Sequence, residues 1–84
     1  AICRAWYKID EVTRRAGILY DASWRAIDLG ASPGGWTDFL AQRCATVVAV
    51  DPAHLAPAVA VLPNVVHVQK KAEDAHAEIA AALA

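Results

Sequence analysis

The 84-residue sequence contains no methionine, only two cysteines and four glycines, and aromatic side chains make up 7% of it. Without an initiating methionine it reads as a piece of a longer chain, with residues 1–84 expected to form a single partial domain. Cys3 and Cys44 stand far apart with no CxxC pair and no Cys/His ligand spacing, which excludes a zinc site and a disulfide framework. Both read as buried or half-buried thiols of a reducing compartment, so the expected location is cytoplasmic. His54, His67 and His76 share no ligand spacing either; no metal is expected and the histidines read as incidental. No apolar run approaches the roughly 20 residues of a membrane span, and no basic segment followed by an apolar core marks a targeting peptide. A dominant charge is also lacking. The net charge of −1 gives no overall attraction to nucleic acid, although Arg4, Lys8, Arg14, Arg15 and Arg25 outnumber Asp10, Glu11 and Asp21 in residues 1–25.

What is present is a 57% apolar, alanine-rich chain with 20% charged residues, the composition of a soluble globular α/β domain. At this length a domain buries only about 60–65% of the surface of its unfolded chain, so the core is modest.

From Lys8 to Leu19 the apolar residues Ile9, Val12, Ala16 and Leu19 fall on one helical face, with Asp10 and Glu11 in the first turn and Gly17 near the end. Trp24 to Leu29 reads as a buried strand. Ser32 is a plausible N-cap with Pro33 at the first helical position, and residues 34–43 read as a helix carrying Trp36, Phe39 and Leu40 on one face. Thr46 to Val50 is continuously apolar and β-branched, the pattern of a parallel strand covered on both sides. Pro52, Pro57 and Pro63 break 52–62 into a loop with one short helical turn. Asn64 to Gln69 is a third strand, and Ala72, Ala75, Ile79 and Leu83 mark a last amphipathic helix. This alternation predicts a parallel sheet of strand order 3-2-1, the N-terminal half of a Rossmann-like doubly wound α/β fold. The free edge of the first strand makes self-association an expectation.

Asp28, Gly30, Gly34 and Gly35 surround the turn between the first strand and its helix, and Asp51 ends the next strand 21 residues beyond Gly30. A phosphate-gripping loop needs Lys after the last glycine, where this chain has Trp36. A dinucleotide fingerprint needs a second glycine where Ala31-Ser32 stand. What remains suits a ligand with ribose hydroxyls and no phosphate, because Asp51 can accept both hydroxyls of a 2′,3′-diol and would repel a 2′-phosphate. S-adenosylmethionine is such a ligand. Asp28 could bond loop amides or touch the ligand, and Trp36 reads as core with a role resting on its backbone amide.

The boxes Arg4-Ala-Trp-Tyr-Lys-Ile-Asp-Glu11, Asp28-Leu-Gly-Ala-Ser-Pro-Gly-Gly-Trp36 and Val48-Ala-Val-Asp-Pro52 resemble the FtsJ-type family of RNA ribose 2′-O-methyltransferases over residues 3 to 74. Pro63-Asn-Val-Val-His-Val68 is similar to its bacterial large-subunit rRNA members. The resemblance implies a methyltransferase fold, S-adenosylmethionine as methyl donor and an RNA acceptor, with ribosomal RNA favoured. It implies that Gly30, Gly34 and Trp36 wrap the methionine moiety, with Ala31 and Gly35 in the same cofactor-binding loop, that Asp51 holds the ribose, and that Lys8 opens a Lys-Asp-Lys-Glu catalytic tetrad whose other members lie beyond residue 84. The chain departs from the family after the third strand, where Lys70-Lys71 replace the acid expected against adenine, so that either Glu73 or Asp74 substitutes or that contact is absent. Trp6 and Tyr7 could stack on RNA bases or pack the helix, with packing expected of one. A second class of function stays open: a non-catalytic nucleoside-binding module that keeps the cradle without the acceptor side.

Overall fold

The computed structural model describes residues 3–84. Its elements are α1 (Arg4–Ala16), β1 (Arg25–Leu29), α2 (Gly35–Ala41), β2 (Thr46–Val50), α3 (Pro57–Ala60), β3 (Val65–Val68), a 3-10 turn (Ala72–Asp74) and α4 (His76–Leu83). The strands lie in the order β1-β2-β3, all parallel, with Arg25 to Leu29 opposite Thr46 to Val50 and Val47 to Val50 opposite Val65 to Val68. The α/β alternation and the 3-2-1 order follow the sequence pattern. No described helix is long and apolar enough to cross a membrane.

β2 is central because its side chains find apolar partners on both faces. Ala49 packs with Ala31, Leu55 and Val59 on one side, and Val48 and Val50 with Val68 and Ala75 on the other, where Ile79 and Leu83 of α4 add cover. Fully burying each such valine is worth about 1.5–3 kcal/mol. The expected helical spacing Ala72, Ala75, Ile79, Leu83 thus marks the buried stripe, although a 3-10 turn interrupts it before α4 begins.

Three expectations are corrected here. β1 is a strand but not a buried one: only Asp28 is buried, and Leu29 is 60% exposed, because one edge of β1 pairs with β2 while no described strand covers the other. The face of α1 also differs. Val12 is 56% and Leu19 86% exposed, and Leu19 lies beyond the helix, which ends at Gly17 in the left-handed region with the Ile18 N–H bonded to the Thr13 carbonyl. The half-buried stripe is Trp6, Ile9, Asp10 and Thr13. The cause is that α1 leans on α2. Trp6 stands edge-on to the fully buried Phe39 at 5.4 Å, Tyr20 meets the same ring at 5.9 Å, and the Arg43 guanidinium lies 3.4 Å from its centre. Thr13 and Tyr20 share a hydroxyl hydrogen bond of 2.8 Å. Because α1 starts at Arg4, Asp10 and Glu11 fall in mid-helix rather than the first turn, where each pairs at 3.1 Å with an arginine one turn on, Arg14 and Arg15.

Candidate functional site

The loop after β1 is laid across the end of β2. The N–H groups of Gly30 and Ala31 both donate to the Val50 carbonyl, at 2.8 and 3.1 Å, with Gly30 at φ +73° turning the chain away from the sheet. The Ser32–Pro33 peptide is cis, and Gly34, at φ +117°, is the residue from which α2 starts. The expected cap of Ser32 with Pro33 at the first helical position is therefore corrected. Gly34 accepts the first helical bond, from the Asp38 N–H at 2.8 Å, while the Ser32 hydroxyl donates to the His54 carbonyl at 2.7 Å. Gly34 and Gly35 serve close packing. A Cβ on Gly34 would stand 3.0 Å from Val59 Cγ1, and one on Gly35 would stand 2.5 Å from Cys3 Sγ and 3.0 Å from the Trp6 backbone nitrogen.

A cleft of about 310 Å³ opens at the carboxyl end of β1, lined by Cys3, Ala5 and Lys8 of the N-terminal segment and by Asp28 to Pro33, Gly35 and Trp36. In open parallel sheets this end of the strands is where ligands bind. Lys8 and the glycine loop, distant in sequence, thus share one wall-to-wall hollow. Trp36 is 46% exposed at this cleft and leaves the core to Phe39, which corrects its reading as a core residue. Of the pair Trp6 and Tyr7, Trp6 is the one that packs; Tyr7 is exposed. Gly34 is buried under the loop and does not line the cleft.

Asp28 sits at the floor, where Thr37 Oγ1 donates to its Oδ2 at 2.8 Å. Burial pushes its carboxyl above the ordinary value of 3.8, the Thr37 bond opposes this, and the charge of Asp51 adds to the rise. Asp51, just past β2, has both carboxylate oxygens engaged: Oδ2 accepts the Ser32 N–H at 3.1 Å and Oδ1 the Ala53 N–H at 2.8 Å. It stands behind the loop rather than on the cleft lining. Asp74 is exposed on the 3-10 turn, and Glu73 lines a separate apolar hollow with Leu29, His76, Ile79 and Leu83. Lys70 is an exposed cation paired with Glu78 at 2.9 Å, which raises the Lys70 pKa and lowers that of Glu78.

The polar contacts that hold this arrangement differ from the sequence reading: Ser32 was read as a cap and His67 as incidental, and Thr37 and Gln69 were given no part in the site. Thr37 lies in the first turn of α2, where its hydroxyl reaches Asp28 of β1, and His67 was a legible signal as the one polar member of an otherwise valine strand.

A ribosomal RNA large subunit methyltransferase M from Aromatoleum aromaticum is 46% identical over 61 residues, 73% of this chain and 16% of that protein. Its namesake from Halorhodospira halophila is 57% identical over 42 residues, covering 50% of this chain and 12% of that protein. The chain therefore spans a minor part of these relatives. Among solved structures, a Lactococcus lactis protein provisionally described as a hemolysin superposes with a TM-score of 0.73 at 24% identity, covering 82% of this chain and 34% of the other. A Plasmodium falciparum protein provisionally described as a ribosomal RNA methyltransferase gives 0.62 at 23%, covering 83% and 37%. At such identities these two establish the fold alone. The family model of FtsJ-like methyltransferases matches residues 1–81, and the chain belongs to that family.

Proposed function

We propose that this chain is the cofactor-binding part of an S-adenosylmethionine-dependent RNA ribose 2′-O-methyltransferase whose acceptor is ribosomal RNA. The observation that carries the reading is the single cleft in which Lys8 of α1 faces the Asp28–Trp36 loop at the carboxyl end of a parallel sheet. The relatives' names supply the RNA class.

The residues present fit that cofactor. The loop offers acids in place of cations: Asp28 at the floor and Asp51 behind it, with no Lys or Arg from Gly30 to Trp36 to neutralise a phosphate. Gly30 leaves open space where a Cβ would stand, so ligand atoms can approach its backbone. Asp51 would hold the ribose diol with its remaining lone pairs, the Gly30–Trp36 loop would enclose the methionine moiety, and Asp28 would meet its ammonium group. When bound, S-adenosylmethionine supplies an electrophilic methyl group on a sulfonium. The chain's own part is alignment, which matters most in a displacement that neutralises charge. Lys8, on the far wall, would orient the acceptor hydroxyl and stabilise the forming alkoxide as an ammonium, or take its proton as a neutral amine. Asp74 receives no role here, since it is exposed on the 3-10 turn and, unlike Asp51, makes no bond to the glycine loop.

The test uses the intact protein with S-adenosylmethionine carrying a tritiated methyl group and ribosomal RNA. Lys8→Ala should lower methyl transfer by about 10²-fold or more while leaving cofactor affinity, read by isothermal titration, within about twofold. Transfer unchanged by Lys8→Ala removes the lysine from the chemistry. Cofactor binding with no transfer to any ribosomal RNA returns the non-catalytic module.

A further inference from the structure

Two consecutive carbonyls just past β2 are gripped by a side chain of β3 and one from the residue after Val68. His67 Nε2 lies 3.0 Å from the Asp51 carbonyl oxygen, and Gln69 Nε2 donates to the Pro52 carbonyl at 3.3 Å. A carbonyl only accepts, so the His67 proton must sit on Nε2. His67 is in β3 and Gln69 directly follows its last residue, Val68, so the two side chains reach successive carbonyls of the 51–52 segment. The Asp51 N–H is taken as well, by the Val68 carbonyl at 3.2 Å. The backbone of Asp51 is thus held on both its polar groups by β3, and its carboxylate on both oxygens by Ser32 and Ala53. Pro52 narrows Asp51 further, since a residue before proline is confined to extended conformations. Ser32 closes the circle by donating to the His54 carbonyl, which ties the 51–54 segment to the glycine loop on its other flank.

We infer that His67, with Gln69 beside it, is a positioning residue for the cofactor's ribose, acting through the orientation of the Asp51 carboxylate. The inference rests on the S-adenosylmethionine reading above. β3 has no packing need for an imidazole: its other members are valines, and a half-buried polar ring in such a strand is favourable only when its hydrogen bond is made. What that bond secures is the carbonyl of the acid that would accept the diol. Groups that fix the orientation of a ligand-binding carboxylate commonly matter about as much as direct contacts.

The experiment compares S-adenosylhomocysteine with its 2′-deoxy analogue by isothermal titration against the intact protein, so that the ratio of the two dissociation constants reports the hydroxyl contact alone. In the parent protein the ratio should be about tenfold, the loss of one hydrogen bond to a charged group. His67→Val should collapse it to about twofold, and His67→Gln, which can present an N–H at the same reach, should keep it near the parent value. A general loss of packing would weaken both ligands alike and leave the ratio unmoved. A ratio unchanged in His67→Val overturns the inference. Should circular dichroism show that His67→Val does not fold, Gln69→Leu, at an exposed position, decides: a fall in the ratio supports the inference and an unchanged ratio overturns it. A parent protein that binds neither ligand overturns the cofactor reading itself, an outcome distinct from binding without discrimination.

Discussion

Gly30 and Gly35 exclude a side chain for different reasons, and substitution separates them. At Gly30 the obstacle is conformation, φ +73° with nothing within 4 Å of a Cβ, so Gly30→Ala should cost about 1–2 kcal/mol in urea unfolding and weaken S-adenosylmethionine binding more than it weakens the fold. At Gly35 the obstacle is contact with the start of α1, where Cys3 Sγ and the Trp6 backbone leave no room. Gly35→Ala should cost about 1–3 kcal/mol, and it should shift the near-ultraviolet signal of Trp6. Asp28 gives a pH test. Its carboxyl is raised by burial, so the folded state favours the protonated form. That contribution is complete below the unfolded value of 3.8 and is lost as pH rises through the folded one, leaving an ionised, partly desolvated acid at neutrality. Asp28→Asn should therefore gain stability relative to the parent as pH rises from strongly acid towards neutral, measured by denaturant titration at several pH values. A parent and variant that run parallel would show that Thr37 fully offsets the burial.

Among the elements, β2 shows what composition makes legible and β1 what it does not. Five residues from Thr46 to Val50, four of them β-branched and none polar after the first, fit a strand enclosed on both faces, and this is what forms. Val48→Ala should cost about 2 kcal/mol, read as a lower denaturation midpoint with an unchanged denaturant slope. β1 is also a strand as its apolar run predicts, yet its burial depends on a neighbour that local sequence does not report. α1 carries the same lesson from the other side. Periodicity locates the helix and its apolar residues, but which stripe is covered was decided by Phe39, far along the chain. In α2 the signals of a Ser-Pro start were present and misleading, because the left-handed Gly34 intervenes and Ser32 is drawn to Asp51 and His54. The cleft was legible where its residues form motifs, as at Lys8 and Gly30 to Trp36. It was illegible where single polar side chains act between elements, as at Thr37 and Gln69, whereas His67, polar among valines, was a signal the motifs did not use.

For the molecule as a whole, the free edge of β1 runs beside the exposed apolar residues Trp24, Ile27 and Leu29. An unpaired edge with apolar neighbours invites pairing with another chain. The 84-residue chain by itself should show a molar mass by light scattering that rises with concentration, and Ile27→Lys should reduce that rise. A concentration-independent monomer would exclude association through this edge. The uncovered face of α1 carries a separate consequence for anyone judging whether the chain is folded. Val12 and Ala16 on that face, with Leu19 just beyond the helix, present a ready apolar surface to a reporter dye such as anilinonaphthalene sulfonate. Dye fluorescence is commonly taken as the mark of a loosened, molten state. Here it would arise from a well-packed chain, whose cooperative unfolding should extinguish the dye signal and the tryptophan dichroism together.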